Sequence, residues 1–474
     1  MRPALGHFAR IDSCSVDNNV EVEEFKTSED LAMNSRGWLN EQVSRLRQPA
    51  QATVRSTQER LKAMLRQGEE ALSPRAMRQK LDELKAITDP LVSEVEGGRR
   101  AGAMMDWYRS ASPAHRRDIW LLMSERFVAD PVKVKAAQAE FAAAVGTPDA
   151  AAAEVQYRRA TVSPRRRLLQ RFSAHPDGIP FLVKLRADMQ PQLRADKRLL
   201  ALDVEMEYMF STWFDVGFLE LRRICWDSPA SLVEKLIKYE AVHDIRSWDD
   251  VKNRLDSDRR CYGFFHPRLP GEPLIFVEVA LVNEIASSIT PLLDEAAAPA
   301  DLDRATTAIF YSISNTQVGL RGVSFGDALI KRVVEILQEE FPRLKTFATL
   351  SPIPGLRSWL GKNAPAELLE GWEKCAELGD RAPLRLALMQ WAARYLGREL
   401  QDGKPLDPVA RFHLGNGARI ERLNWAADPS AKGLKQAYGL MVNYLYDPKK
   451  LDKNRAALAQ SKIPLAPAIK DLLR

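Results

Sequence analysis

The chain has 474 residues, of which 45% are hydrophobic and 28% charged, and its mean hydropathy of −0.30 is typical of a soluble globular protein. No apolar run reaches the roughly 18 to 20 residues that a membrane-spanning helix needs, and the length predicts about two to four domains. The net charge of +6, from 69 basic and 63 acidic residues, is too dispersed for a nucleic-acid surface but suits a polyanionic small molecule.

Residues 1–209 are predicted to form an all-α helical bundle. The first 35 or so show no periodicity and are expected to be loose, whereas the apolar spacing from residue 36 to about 192 is helical. Ser73 before Pro74 fits a helix start with proline in the first turn. The alanine-rich segment 132–155 is typical of two helices joined by a tight turn. No catalytic cluster stands out, so a structural or oligomeric role is expected.

Large aromatic residues become frequent near residue 210, which predicts a second domain over 210–474. Helices are expected at about 228–239 and 248–255. They are followed by β-like runs at 260–266 and 273–282, and the Pro/Gly turn between these runs indicates a hairpin.

The stretch 306–352 combines a strand, a loop with three glycines, an amphipathic helix and a second strand. Its glycines are Gly319, Gly322 and Gly326. Glycines let a backbone approach an anion, and a helix start offers free N–H groups, so the loop is a candidate phosphate cradle. The alternative that stays open is that this loop is an ordinary glycine-rich connection that binds no phosphate.

A helical segment from residue 364 to about 400 precedes two further β-like runs, one at 410–414 that continues through 418–425 and one at 438–446. The second domain is therefore predicted to be mixed α/β and the whole chain α+β. Its order of helices, hairpin, strand, glycine loop, helix, strand, helix and strands is similar to that of the GNAT acyltransferase fold.

The glycine loop and several longer strings carry a family resemblance. Arg321–Asp327 resembles the [RQ]-x-x-G-x-[GA] loop with which GNAT domains bind the coenzyme A diphosphate, with serine replacing its first glycine. Five strings resemble the malonyl-CoA decarboxylase family: AIFYSISNTQVGLRGVSFGDALIKRVV, FATLSPIPGL, RRCYGFFHP, PVARFHLGNGARIERLNW and GLMVNYLY. The resemblance covers nearly all of the second half of the chain. The family also has a helical N-terminal domain, which agrees with the helical first half.

The resemblance implies a GNAT-like catalytic domain that converts malonyl-CoA into acetyl-CoA and CO₂ without a metal or organic cofactor. The proton-handling pair falls on Ser351 and His413, and a further site residue on Tyr446. His413 is expected on a strand, with a pKa suited to an acid at neutral pH. The coenzyme A site falls on Arg321, Gly322, Val323, Ser324, Phe325, Gly326 and Asp327. Some family members carry an acidic residue at the position of Ser324, so the role of this side chain is open.

Each catalytic candidate also has a plain structural interpretation. Ser351 before Pro352 could simply begin a turn, His413 could be a satisfied core histidine, and Tyr446 could be packing. Two other functions remain open: a coenzyme A-dependent N-acyltransferase, which needs an acceptor groove, and a non-catalytic coenzyme A-binding regulatory protein. A homo-oligomer, dimer or tetramer, formed through the helical domain is expected, with no nucleic-acid or membrane partner.

The four cysteines are widely separated and, with six scattered histidines, form neither a CxxC nor an HExxH pattern. This predicts reduced thiols and no metal site. The N-terminus has no apolar core and the chain does not end in Ser-Lys-Leu, so a cytoplasmic location is expected. The basic clusters Arg165–Arg167 and Arg259–Arg260 are interpreted as solvated ends of helices or strands.

Overall fold

The computed structural model describes residues 71–323, 328–374 and 382–474, and residues 71–474 form one unit. The predictions for residues 1–70 and for Ser324, Phe325, Gly326 and Asp327 lie outside the described residues, as do Cys14 and Cys375. The architecture is α+β, with helices followed by a mixed sheet that is itself flanked by helices.

The helices of the described chain are α1 Pro74–Thr88, α2 Glu94–Ser110, α3 Pro113–Arg126, α4 Pro131–Ala144, α5 Ala150–Thr161, α6 Pro164–Ala174, α7 Gly178–Met189, α8 Leu200–Trp213, α9 Ala230–Tyr239, α10 Trp248–Arg254, α11 Ala328–Glu340, α12 Leu356–Asn363, α13 Ala366–Lys374, α14 Ala382–Arg398, α15 Pro408–Gly415, α16 Ala431–Ala437, α17 Leu451–Ala459 and α18 Pro467–Leu472. The strands are β1 Glu220–Ile224, β2 Arg259–Phe265, β3 Pro273–Val282, β4 Thr307–Asn315, β5 Thr346–Thr349, β6 Ser351–Pro352, β7 Leu400–Gln401, β8 Lys404–Pro405, β9 Arg419–Asn424 and β10 Met441–Tyr446. Within these residues, no helix is long and apolar enough to cross a membrane.

The helical part follows the capping signals of its sequence. Ser73 caps α1, because its hydroxyl accepts a hydrogen bond from the Ala76 amide at 3.2 Å and Pro74 occupies the first turn. The predicted pair of helices around residues 132–155 is confirmed as α4 and α5. A continuous core runs from helices α1 and α7 into the sheet, since Leu84 of α1 and Leu182 of α7 belong to the same buried cluster as Val277 of β3.

The main sheet has the order β1-β2-β3-β4-β5-β10, and β10 also pairs with β6 and β9. The predicted hairpin is confirmed as β2 and β3, and β4 with β5 is the parallel pair on either side of α11. This is the GNAT-like order predicted from the sequence. The edge strand β1 was not predicted, because four of its five residues are exposed or half-buried and three are charged.

The β4–β5 ladder determines where the sheet opens. Its last register pair joins Phe310 and Thr349, after which the Leu350 amide donates to the Phe310 carbonyl at 3.0 Å. β4 continues to Asn315, while the chain beyond Thr349 pairs with β10 instead, at Ser351 and Val442. The two parallel strands therefore separate at the position where β6 begins.

The prediction of a strand at residues 410–414 is wrong, because these residues lie in helix α15. Asp407 caps that helix, accepting hydrogen bonds from the Val409 and Ala410 amides, both at 2.9 Å. Pro408 occupies its first turn. A cap followed by proline is a helix-start signal that outweighs the β-like appearance of the short run Arg-Phe-His-Leu.

The interpretation of the basic clusters as solvated ends is wrong for three of their residues. Arg165 is buried and donates to the Met123 carbonyl at 3.0 Å and to the Ser124 carbonyl. It thus supplies hydrogen-bond donors to carbonyl groups in the last turn of α3. Arg260 is buried against Glu340 at 2.6 Å, and the Arg259 guanidinium donates to the Leu292 carbonyl at 3.2 Å. These arginines connect elements that are distant in sequence.

A buried ion network ties α10 to the sheet. Arg254, with no exposed surface, lies 2.6 Å from Asp250 and 2.9 Å from Glu278, which is also fully buried. Burial and the nearby Glu240 carboxylate raise the pKa of Glu278, whereas the Arg254 guanidinium opposes that rise. Arg254 is therefore the cation that makes the burial of two carboxylates tolerable.

Replacing Arg254 by methionine is expected to lower the free energy of unfolding by about 3 to 5 kcal/mol, since Asp250 and Glu278 would lose their buried partner. Urea denaturation measures this change. Arg99→Met removes an ion pair whose arginine side chain is 70% exposed, and its effect on the free energy of unfolding is expected to be much smaller, because solvent screens the pair. Equal losses in the two variants would contradict a structural role for the buried network.

Candidate active site

Ser351, His413 and Tyr446 meet in a buried cluster. The Ser351 hydroxyl lies 3.2 Å from Nε2 of His413, and Nδ1 of the same ring lies 2.7 Å from the Tyr446 hydroxyl. The three residues come from β6, α15 and β10, so they are brought together only by the fold. Each side chain is at most 5% exposed.

Thr349 fixes the position of Ser351. The Ser351 hydroxyl donates to Oγ1 of Thr349 at 2.8 Å, and the same oxygen accepts from the Tyr444 amide at 3.1 Å. Because Thr349 ends β5 and Tyr444 belongs to β10, the serine is held where these strands meet. Thr349 was not among the predicted site residues. It stands two positions before the serine, which is the only sequence signal for it.

The His413 ring is enclosed by aromatic residues. It stacks on Tyr444 with ring centroids 4.6 Å apart, and it is 3% exposed. Burial lowers its pKa to about 3, so the imidazole is neutral at pH 7 in the substrate-free protein. The expectation of a pKa suited to an acid at neutral pH is therefore wrong for this state, because the apolar setting disfavours the charged ring.

Tyr446 and Asn416 complete the cluster. Burial raises the pKa of Tyr446 well above its usual value, and a hydrogen bond with the Asn416 side chain opposes that rise. The hydroxyl of Tyr444, whose ring stacks on His413, has no hydrogen-bond partner within the described structure. Asn416 lies within the string PVARFHLGNGARIERLNW, but only the structure shows that its side chain meets Tyr446.

The buried histidine predicts a specific loss of stability in acid. Its folded pKa of about 3 lies below the ordinary value of 6.5, so below pH 6.5 the unfolded chain binds a proton that the folded protein does not. The free energy of unfolding therefore falls as pH falls, by up to about 1.4 kcal/mol per pH unit for this residue.

Between pH 6.5 and pH 5, His413→Asn is expected to lose about 1.6 kcal/mol less of its free energy of unfolding than the unchanged protein does. Urea denaturation at the two pH values measures the difference, and all other titrating groups are common to both proteins. Identical pH slopes would show that His413 is not held neutral by burial.

The described part of the predicted coenzyme A loop is anchored to the helical domain. Arg186 of α7, 1% exposed, donates to the Gly319 carbonyl at 2.9 Å and to the Arg321 carbonyl at 2.8 Å. A side chain at Gly319 would collide with the Val183 carbonyl, so this glycine serves close packing rather than an anion. Gly322 has a φ of +86°, which favours glycine.

Of the seven predicted coenzyme A residues, only the first three can be placed. Arg321 and Gly322 are exposed and Val323 is buried, while Ser324, Phe325, Gly326 and Asp327 lie outside the described residues. No sequence pattern pointed to Arg186, which lies in a helix that also carries Lys184 and Asp188. Within the described ranges, no group of three or more His, Cys, Asp or Glu side chains could hold a metal ion.

Two family models match the chain. The malonyl-CoA decarboxylase N-terminal domain matches residues 127–214, and the C-terminal domain of the same family matches residues 217–474. Their junction lies close to the predicted domain boundary.

Relatives with this family name are similar over most of their length. The chain is 36% identical to the mitochondrial malonyl-CoA decarboxylase of Anser anser anser over 416 residues, which cover 77% of this chain and 81% of that protein. The mitochondrial malonyl-CoA decarboxylase of Mus musculus is 39% identical over 350 residues, 65% of this chain and 71% of that protein.

Solved structures agree. The malonyl-CoA decarboxylase of Rhodopseudomonas palustris superimposes with a TM-score of 0.75 at 41% identity, covering 82% of this chain and 99% of that chain. The Cupriavidus metallidurans malonyl-CoA decarboxylase gives a TM-score of 0.68 at 44% identity, covering 84% of this chain and all of the other.

Proposed function

The chain belongs to the malonyl-CoA decarboxylase family, and we propose that Ser351, His413 and Tyr446 carry out its reaction. The protein is a carboxy-lyase that converts malonyl-CoA into acetyl-CoA and CO₂. The observation that supports this assignment of residues is the buried hydrogen-bonded chain from Ser351 through His413 to Tyr446.

The reaction breaks the bond between the malonyl carboxylate and its α-carbon. The electron pair moves into the thioester carbonyl as an enolate, and a proton must then be added to the carbon to give acetyl-CoA. Because the thioester accepts the electrons, we propose that no metal or organic cofactor is needed. The protein has to desolvate the carboxylate, stabilise the enolate oxygen and supply the proton.

The hydrogen bonds around His413 favour one tautomer. Tyr446 keeps its proton, because burial raises its pKa, and it can donate that proton to Nδ1. The neutral ring then carries its own proton on Nε2, facing Ser351 at 3.2 Å. We propose that Ser351 binds and orients the substrate carboxylate or exchanges a proton with it, and that His413 delivers the proton to the α-carbon.

Substrate binding changes the electrostatics of this histidine. A bound malonyl carboxylate would bring a negative charge to a ring that burial alone keeps neutral, and a nearby opposite charge favours the protonated form. The side-chain amide of Asn416, which lies beside Tyr446, is our candidate donor to the enolate oxygen. Coenzyme A binding by Arg321–Asp327 remains a prediction, with backbone amides and the arginine directed at the diphosphate.

Tyr446→Phe is expected to lower kcat about tenfold with little change in KM, because the ring would no longer receive the bond that sets its tautomer. Steady-state formation of acetyl-CoA measures this. Tyr395→Phe removes another buried tyrosine hydroxyl, which donates to Asp407 at 3.3 Å, and serves as the matched control. An unchanged kcat in Tyr446→Phe would remove Tyr446 from the site.

Incubation with malonyl-CoA alone tests the activity. Acetyl-CoA and CO₂ should appear in equal amounts without any acceptor. Turnover that requires an added amine would indicate an acyltransferase, and binding without turnover would indicate a regulatory coenzyme A-binding protein.

We also propose a homo-oligomer formed through the helical domain, and a cytoplasmic location. In support of self-association, Leu200, Val204 and Tyr208 form an exposed stripe at four-residue spacing on α8. The thiols of Cys225 and Cys261 are free, which suits a reducing compartment. Light scattering should give a multiple of the 53.4 kDa chain mass, and a monomer would refute the first proposal. Cell fractionation tests the second.

A further inference from the structure

Side chains take the place of backbone hydrogen bonds at the point where the sheet opens. The ladder of β10 with β5 ends at Ala348, and its ladder with β6 begins at Ser351. In the gap, the Tyr444 amide donates to Oγ1 of Thr349 at 3.1 Å, and Nδ2 of Asn443 donates to the Thr349 carbonyl at 2.7 Å. Thr349 is therefore bonded to β10 through both its side chain and its backbone.

Asn443 holds Thr349 in one position. Its side chain is fully buried, and Nδ2 also donates to the Ala286 carbonyl at 3.0 Å. Its Oδ1 accepts from Nδ2 of Asn424 at 2.8 Å and from Nε of Arg422 at 3.3 Å. Two donors and two acceptors are thus in use, which fixes the orientation of the amide. The backbone of Thr349 is held by residues that lie outside the cluster of Ser351 with its histidine.

The bond between Thr349 and Ser351 has a definite direction. The serine hydroxyl is the donor at 2.8 Å, and Oγ1 of Thr349 is the acceptor. A serine hydroxyl has one proton, so with that proton on Thr349 it can only accept from Nε2 of His413, at 3.2 Å. At the other end of the ring, the Tyr446 hydroxyl can donate to Nδ1 at 2.7 Å. Both ends therefore favour a ring whose proton is on Nε2.

We propose that Thr349 is a positioning residue that sets the direction of this hydrogen-bonded chain and keeps the ring proton of His413 on Nε2, facing Ser351. The inference rests on the proposed function, in which His413 delivers a proton to the substrate. Without the acceptor oxygen of Thr349, the serine is free to donate its proton to Nε2. The ring proton then lies on Nδ1, on the side of Tyr446, and it no longer faces the serine.

The tautomer of His413 tests the proposal directly. Long-range proton–nitrogen NMR spectra of the substrate-free protein, with isotope-labelled histidine, distinguish a ring proton on Nε2 from one on Nδ1. The His413→Asn spectrum identifies the signal among the six histidines. The unchanged protein and Thr349→Ser, which keeps the acceptor oxygen, are expected to have the proton on Nε2. Thr349→Val is expected to have much of it on Nδ1.

Steady-state kinetics supply the second measurement. Thr349→Val is expected to lower kcat about five- to tenfold with an unchanged KM for malonyl-CoA, because Thr349 acts through Ser351 and not on the substrate. Thr349→Ser should restore most of the activity. Thr307→Val is the matched control, since Thr307 is also buried and lies at the other end of the β4–β5 ladder, opposite Thr346. It is expected to change neither kcat nor the tautomer.

A ring proton on Nδ1 in the unchanged protein would overturn the proposal without the use of any variant. Retention of the Nε2 proton in Thr349→Val would also overturn it, because any loss of kcat would then reflect packing alone. The tautomer is measured without substrate, so it decides the role of Thr349 even if malonyl-CoA is not decarboxylated. Absence of turnover in an unchanged protein that has its ring proton on Nε2 would contradict only the proposed function.

Discussion

His413→Asn is expected to lower kcat about 10³-fold, within the range of about 10² to 10⁴ that a positioned proton donor contributes. Asparagine is smaller than histidine and can keep a polar atom near Ser351, but it cannot deliver a proton to the α-carbon of the substrate. The KM for malonyl-CoA should change only a few-fold, because the histidine acts on the reacting carbon rather than on the nucleotide. Steady-state production of acetyl-CoA gives both constants.

His243→Asn is the matched control for this variant. His243 is also buried, at 7% exposure, and its pKa is lowered to about 4 by burial, yet it lies between α9 and α10 rather than beside Ser351. Its substitution is expected to leave kcat unchanged. Full turnover in His413→Asn with normal substrate binding would show that the proton comes from another group, and equal losses in both variants would indicate a general disturbance of the fold.

Elements with strong local signals were predicted correctly from the sequence. The hairpin of β2 and β3 and the strand–loop–helix–strand unit around α11 combine a clear apolar period with turn residues. The strand prediction failed at α15 because the local signal there is weak. Its eight residues are too few for a helical period to be evident, so the cap at Asp407 and the proline after it decide its structure.

The buried arginines show a second limit of prediction from a single sequence. Arg165, Arg186 and Arg260 lie in segments where a charged residue predicts exposure, and each is nevertheless buried because its partners come from distant parts of the chain. Such pairing depends on tertiary structure, and a single sequence contains no pattern for it. The same holds for Asn416, whose side chain meets Tyr446 only because the fold brings β10 beside the end of α15.

The catalytic candidates themselves came from the family resemblance and not from local physical chemistry. Considered alone, a serine before proline and a histidine between Phe412 and Leu414 are ordinary residues. What the structure adds is geometry: Thr349, Ser351 and His413 form one hydrogen-bonded chain at the point where β4 and β5 separate. These hydrogen bonds make it possible to test whether the serine and the histidine act together.

Ser351→Ala is expected to lower kcat about 10²-fold or more, because it removes the group that we place against the substrate carboxylate. It also leaves Nε2 of His413 without its partner at 3.2 Å, so the ring loses its orientation. Acetyl-CoA formation measures the loss. Ser124→Ala removes a different buried hydroxyl, which donates to the Arg198 carbonyl at 2.6 Å in the helical part, and should leave kcat unchanged. Normal turnover in Ser351→Ala would show that the serine merely starts β6.

The double variant Ser351→Ala with His413→Asn separates two ways in which the residues could act. If proton transfer passes along one hydrogen-bonded chain, removing either residue already breaks it, and the double variant should be about as active as His413→Asn alone. If Ser351 only binds the carboxylate while His413 independently protonates the carbon, the two losses should multiply to about 10⁵-fold. The contact of 3.2 Å between the serine hydroxyl and the ring favours the first outcome. Multiplied losses would mean that this contact, although present in the resting protein, is not used during the reaction.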